Sequence, residues 1–236
     1  MGFKPNIRKR ITIQSDIFAQ INEAFNSAPS LSNQYFGVRN VHQGAFGKRT
    51  AIFPSRKCQG AIAVESQLEL GHVIELERSP SVLLYRSQAI KIILDNHTFA
   101  FPDFLIQNIN KEYELHEVKE SLSVLNSWKI EKLHLIHAYL KRKNITYKLF
   151  DKNLIPDQKQ RQHLLWLYLS SQDVKMTSQE IEFAQSIDVP NTIRFSSVNS
   201  FFSKYNFSIE QVSFLLFYKF ICTDRFPEIN LLEHSI

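Results

Sequence analysis

Between Ser81 and Phe150 the hydrophobic period of the chain passes from two residues to about 3.6 and back, and this limits the available folds more than any other feature. Four runs rich in β-branched and aromatic residues, SVLLYRSQ, AIKIIL, HTFAF and DFLIQ, follow one another, with Asp95–His97 as a hairpin turn signal. A further turn, NINKE, leads into YELHEVK, so a meander of three or more strands is predicted. On the N-terminal side, AIAVESQLELGHVIELERSP reads as a helix. Val64, Leu68, Leu70, Val73, Ile74 and Leu76 form its apolar side, Glu65, Glu69 and His72 recur at i, i+4, i+7, and Ser79-Pro80 ends it. On the C-terminal side, NSWKIEKLHLIHAYLKRKN returns to helical spacing. Leu125, Trp128, Leu133, Ile136 and Leu140 share one face, with Lys129, Lys132 and Lys141 off it. ITYKLF follows as a short buried strand. The predicted order is helix, three strands, helix, strand: an α/β domain.

Within that order one constellation carries chemistry. Alternation along YELHEVK places Glu117 and Lys119 on one strand face and His116 with Val118 on the other. Asp103, after Pro102 at the head of DFLIQ, is expected beside them. Carboxylates and an ammonium at one sheet end suit phosphodiester hydrolysis, which needs charge stabilisation on the phosphoryl oxygens, an activated water and help for the leaving oxygen. Mg²⁺ prefers oxygen ligands, so Asp103, Glu117 and the Val118 carbonyl are candidate ligands, with Mn²⁺ as a substitute. Glu69, on the upstream helix, could complete the shell, and Glu65 competes for that place. Lys119 is expected to orient or help deprotonate the attacking water, or to neutralise developing charge. A Glu and a Lys two apart on a strand also form ordinary solvated pairs, so the element order around them matters. That order, with P-D before E-x-K, is the arrangement of the PD-(D/E)xK restriction-endonuclease core.

Other features are weaker. His134 and His137 are three apart on a helix without an acidic partner in phase, and GAFGK at Gly44–Lys48 lacks the spacing of a nucleotide-binding loop. Cys58 and Cys222 stand outside any C-x-x-C pairing and read as buried small apolar residues rather than disulfide or zinc partners. Residues 1–60 hold nine Lys/Arg against Asp16 and Glu23, so the N-terminal quarter is more positive than the whole chain at +5. Residues 1–60 therefore read as a basic arm with irregular structure. Lys9, Arg10, Arg39, Arg49 and Arg56 are its candidate DNA-phosphate contacts.

Residues 61–168 read as the catalytic domain and 169–236 as a mostly helical, winged-helix-like C-terminal domain. Thr177–Glu180 and Ser208–Gln211 fit capping boxes, SSVNSFFSKYN reads as a helix, and YKFICTD as a closing strand. No apolar run approaches the roughly 18 residues that cross a bilayer, and MGFKPNIRKRITIQ lacks the apolar centre of a secretory signal, so a soluble, cytoplasmic protein without a membrane partner is expected.

The stretch SQLELGHVIELERSPSVLLYRSQ, with FPDFLI and HEVKES after it, resembles TnsA, the endonuclease subunit of heteromeric cut-and-paste transposases. By that resemblance the acid of a Ser-x-Leu-Glu helix falls on Glu69, a Leu-Glu turn on Leu76-Glu77, a Ser-Val step on Ser81-Val82 and an Arg-x-Gln strand on Arg86–Gln88. The catalytic Asp falls on Asp103 and the catalytic Lys on Lys119. Glu117 stands where some relatives carry Gln, which leaves the neighbouring Val118 carbonyl as an alternative ligand. The resemblance implies nicking at the 5′ ends of a transposon while a TnsB-like DDE transposase cuts the 3′ ends. It also implies a TnsC-like ATPase regulator as partner and association with the bacterial nucleoid when assembled. A stand-alone restriction or repair nuclease and a non-catalytic DNA-binding assembly factor are the competing readings.

Overall fold

A computed structural model describes residues 16–26, 50–94, 99–123, 125–190 and 195–221. Lys9, Arg10, Arg39, Arg49 and Cys222 lie outside them, as does the turn signal at Asp95–His97.

The central sheet has four strands, β3 (Val82–Ser87), β6 (Phe104–Asn108), β7 (Tyr113–Lys119) and β8 (Thr146–Asp151), in the order β3-β6-β7-β8. The first two pairings are antiparallel and β7–β8 is parallel, joined through helix α3 (Ser127–Lys141). Parallel neighbours need such a crossover, and this one lets β7 and β8 end side by side. Two short strands, β4 (Ile92–Ile93) and β5 (Phe99–Ala100), form a separate ribbon, so the AIKIIL and HTFAF runs do not extend the main meander.

Both faces of the sheet are covered, and alternation sorts its residues between them. Phe104, Ile106, Val118 and Phe150 pack in a cluster with Leu70, Val73 and Ile74 of α2 (Gln67–Arg78). Leu105, Leu115, Tyr147 and Leu149 pack in a second cluster with Leu133, Ile136 and Leu140 of α3 and with Ile17 and Ile21 of α1 (Ile17–Phe25).

The N-terminal region departs from expectation in two places. Residues 17–25, taken as part of an arm, form α1, and its Gln20 side chain holds Lys91 by two hydrogen bonds (Nε2 to the carbonyl, 3.2 Å; N–H to Oε1, 2.9 Å). Arg86 Nε donates to the Ala24 carbonyl at 2.9 Å, which ties the helix to β3. Residues 51–64, partly assigned to the arm and partly to a helix, form an antiparallel hairpin of β1 (Ala51–Ser55) and β2 (Gly60–Val64). Helix α2 begins only at Gln67, because Ser66 is its N-cap and accepts from the Glu69 N–H.

Leu76-Glu77, expected as a turn, is helical, and Glu77 is fully buried. Its carboxylate accepts from Ser55 Oγ (2.7 Å), Tyr85 OH (2.8 Å), Arg56 N (2.9 Å), Tyr168 OH (3.1 Å) and Lys57 N (3.2 Å), joining the hairpin, α2, β3 and helix α4 (Gln158–Ser170). A buried carboxylate persists only with such a donor set. Cys58 is buried as expected, its thiol donating to the Tyr85 carbonyl at 3.1 Å.

C-terminal to α4 lie α5 (Ser178–Ser186), α6 (Phe195–Phe202) and α7 (Ile209–Phe217), with capping boxes at Thr177 and Ser208. Their buried residues, including Ala184, Phe202, Leu215 and Phe217, share one apolar cluster with Phe53, Val73 and Tyr85, so the core is continuous across residue 168. Tyr218–Ile221, read as the start of a strand, are a turn: Lys219 adopts φ 60°, and the Phe220 and Ile221 N–H groups return to the Leu215 carbonyl, closing α7 in a left-handed cap. No helix among the described residues is long and apolar enough to cross a membrane.

Candidate active site

Three elements bring the chemistry together. Pro102 stops the strand pairing, and the β6–β7 ladder ends at Phe104↔His116. Beyond that pair the Val118 N–H donates to Asp103 Oδ2 at 2.7 Å, so the side chain at the head of β6 takes over where the backbone ladder stops.

Two residues of β7 complete the centre. Glu117 and Lys119 share a strand face, and Lys119 Nζ makes a short contact with Glu117 Oε1, donates to the Val118 carbonyl at 3.2 Å and lies 3.8 Å from Asp103 Oδ2. Burial works against the Lys119 ammonium, but Glu117, Asp103 and Glu69 outweigh it and hold its pKa above the usual lysine range. Tyr147 of β8, which the sequence reading passed over, is buried on the same side. Burial first, then Glu117 and Asp103, push its phenol well above the usual range, and its hydroxyl makes no hydrogen bond of standard geometry. An alternating buried aromatic in ITYKLF was the available signal for it.

Glu69 stands in the first turn of α2. Ser66 Oγ donates to Oε1 at 3.0 Å and the Glu65 N–H to Oε2 at 2.8 Å, a reciprocal cap at a helix N-terminus that favours the carboxylate. Burial and the neighbouring Asp103 prevail, and the carboxyl is pushed up to about 7. Glu65 precedes the helix and serves Glu69 through its backbone.

The donors here are all oxygen: carboxylates and the Val118 carbonyl, the set that suits a hard divalent cation. Among the described residues no three His, Cys, Asp or Glu side chains are gathered in a metal-holding cluster. Lys119 instead lies between Asp103 and Glu117 and supplies the neutralising charge. Burial is the larger cause of the raised Glu69 carboxyl, and the lesser one, the charge of Asp103, is one that a cation would offset.

A cleft of about 420 Å³ opens over this centre, lined by Asp103, Glu117 and Lys119, by Phe99 and Phe101, and by Trp128, Lys129 and Lys132 of α3. Lys129 and Lys132, set aside as the polar side of α3, therefore face the site, and Trp128 is exposed rather than core.

His116 points to the opposite sheet face, as alternation requires. There it meets His72 (Nδ1 to Nε2, 2.9 Å) and Glu114 (Nε2 to Oε2, 3.0 Å), and Lys148 Nζ reaches Glu114 at 3.0 Å. Arg56, expected on phosphate, is half-buried with its guanidinium 4.9 Å over the Tyr168 ring and Nη1 3.5 Å from the Tyr218 hydroxyl.

No curated protein matches the chain. Residues 79–152 match the family model of the TnsA-like endonuclease N-terminal domain, a span that holds Asp103, Glu117 and Lys119 and begins after Glu69.

Proposed function

We propose that this protein is a metal-dependent DNA endonuclease subunit of a cut-and-paste transposase, nicking the 5′ ends of the element while a TnsB-like DDE transposase cuts the 3′ ends under a TnsC-like ATPase. The observation that carries the reading is the grouping of Asp103, Glu117 and Lys119 at adjacent strand ends, inside the span that matches TnsA-like endonucleases.

Asp103, Glu117, the Val118 carbonyl and Glu69 are the groups that would hold Mg²⁺, or Mn²⁺ in its place. When bound, such a cation offsets charge on the attacked phosphoryl group and lowers the pKa of a coordinated water. Asp103 is kept in register by the Val118 N–H, so its carboxylate faces the cleft without a search through rotamers. Lys119, held protonated by its three acidic neighbours, donates through Nζ to a phosphate oxygen and balances the charge that builds there. The Glu69 carboxyl, pushed up to about 7 by burial and then by Asp103, would join these ligands as the carboxylate and so would give up its proton when the cation binds.

Asp103→Ala and Lys119→Ala test this in the assembled complex on transposon-end DNA. The reading requires that 5′ nicking disappears while assembly with the DDE transposase and 3′ cutting persist. A non-catalytic assembly factor would keep 5′ nicking in both variants, and a stand-alone nuclease would cut efficiently without its partners.

A further inference from the structure

The floor of the cleft is acidic, but two aromatic groups from separate elements line it. Phe99 and Phe101 touch edge to face at 5.5 Å, and Trp128 comes from the first turn of α3. Phe99 is 48% exposed and Trp128 59%. Large rings left open to solvent around one cleft call for a ligand with apolar faces.

Cations accompany the rings. Lys91 Nζ lies 4.5 Å from the Phe99 ring centre and 5.9 Å from that of Phe101, and Lys132 Nζ lies 5.5 Å from Trp128. Lys129 lines the same cleft. Both the phenylalanine pair and Trp128 thus have an ammonium group beside them.

Duplex DNA offers phosphates to such a rim but keeps its base faces stacked inside, so lysines alone would serve it. An unpaired strand shows both, base faces for the rings and phosphates for the lysines. We infer that the cleft takes the scissile strand unpaired. One base stacks on Trp128, another meets the Phe99–Phe101 pair, and Lys129 and Lys132 hold the adjoining phosphates. This rests on the nuclease reading for the role of the acidic floor and adds the form in which the substrate enters.

The chain has two tryptophans, so in a Trp166→Phe background the emission reports Trp128 alone. The probes are one oligonucleotide as a single strand, as a perfect duplex, and as a duplex with a short unpaired bubble, each titrated into the full chain in EDTA to prevent cutting. Single strand and bubble should quench Trp128 and bind more tightly than the duplex. Trp128→Ala should weaken single-strand binding about tenfold, as expected for one stacked base, and leave duplex binding within about twofold. Trp128→Phe should keep most of the affinity, which separates lost stacking from lost folding. Absent quenching, equal affinity for paired and unpaired DNA, or an equal loss for both forms in Trp128→Ala would overturn the inference. Quenching by an unpaired strand in a protein that never nicks would sink the nuclease reading instead. Nicking that needs Asp103 but ignores Trp128 would do the reverse.

Discussion

Asp103 Oδ2 and the Val118 N–H are 2.7 Å apart, so the carboxylate that heads β6 also closes the seam to β7 beyond the last ladder pair. The same residue thereby holds strand register and faces the cleft. Asp103→Asn keeps an acceptor for Val118, whereas Asp103→Ala leaves a buried N–H unpaired, at a cost of about 1–3 kcal/mol. Denaturant unfolding should place Asp103→Asn near the parent and Asp103→Ala clearly below it, with nicking lost in both. Equal stability of the two variants would show that the hydrogen bond has no structural role.

Glu69 links stability to cation binding. Its folded carboxyl sits at about 7, above the ordinary 4.5, so its contribution to stability is complete below about pH 4.5 and is lost as pH rises through 7. Glu69→Gln should therefore raise the melting temperature in EDTA at pH 8 and lose that advantage towards pH 5. Mg²⁺ should stabilise the parent more at pH 8 than at pH 6, and the variant little at either. Thermal melts across this grid check both.

The opposite sheet face titrates separately. His72 is buried against Phe104 and Phe150, and burial first, then His116, holds its pKa well below 6.5. The unfolded chain protonates His72 near pH 6.5 while the folded chain does not, so stability falls as pH drops below that value, by up to about 1.4 kcal/mol per pH unit. Glu114 is held at about 2 by the His116 hydrogen bond despite its burial, with Lys148 assisting, so its share persists above pH 4.5 and is lost between 4.5 and 2. Urea midpoints should show two separate declines, and His72→Phe should remove the upper one while retaining the lower.

Gly71 of α2 faces Ile155, Pro156 and Arg161 at the entry to α4 with no room for a side chain. A Cβ there would lie 2.5 Å from Ile155 Cγ2 and 3.0 Å from Arg161 Cδ. Alanine favours a helix over glycine by up to about 1 kcal/mol, but forcing an extra carbon into this contact costs about 1–3 kcal/mol. Gly71→Ala should be destabilising. In a double-mutant cycle with Ile155→Ala the second substitution should cost less than it does alone.

Much of this was legible in the residues themselves. The change of hydrophobic period located β3, β6, β7, α3 and β8, because strands and helices covered on one or both faces must repeat at 2 or 3.6 residues. Alternation alone separated Glu117 and Lys119 from His116, and the position of Asp103 at the head of DFLIQ placed it beside the first two. What stayed hidden depended on contacts distant in sequence. AIAV reads as the start of a helix until it pairs with residues 51–55, and Glu77 looks like a surface charge until Ser55, Tyr85 and Tyr168 converge on it. Tyr147 shows only as an alternating aromatic in ITYKLF, Lys129 and Lys132 carry no local signal of a site, and only the crossover through α3 sets them beside the acids. Local spacing determines which face a side chain takes. Which faces then meet, and how far burial shifts a proton equilibrium, is decided by packing between elements, where water is excluded and charges act on one another at short range.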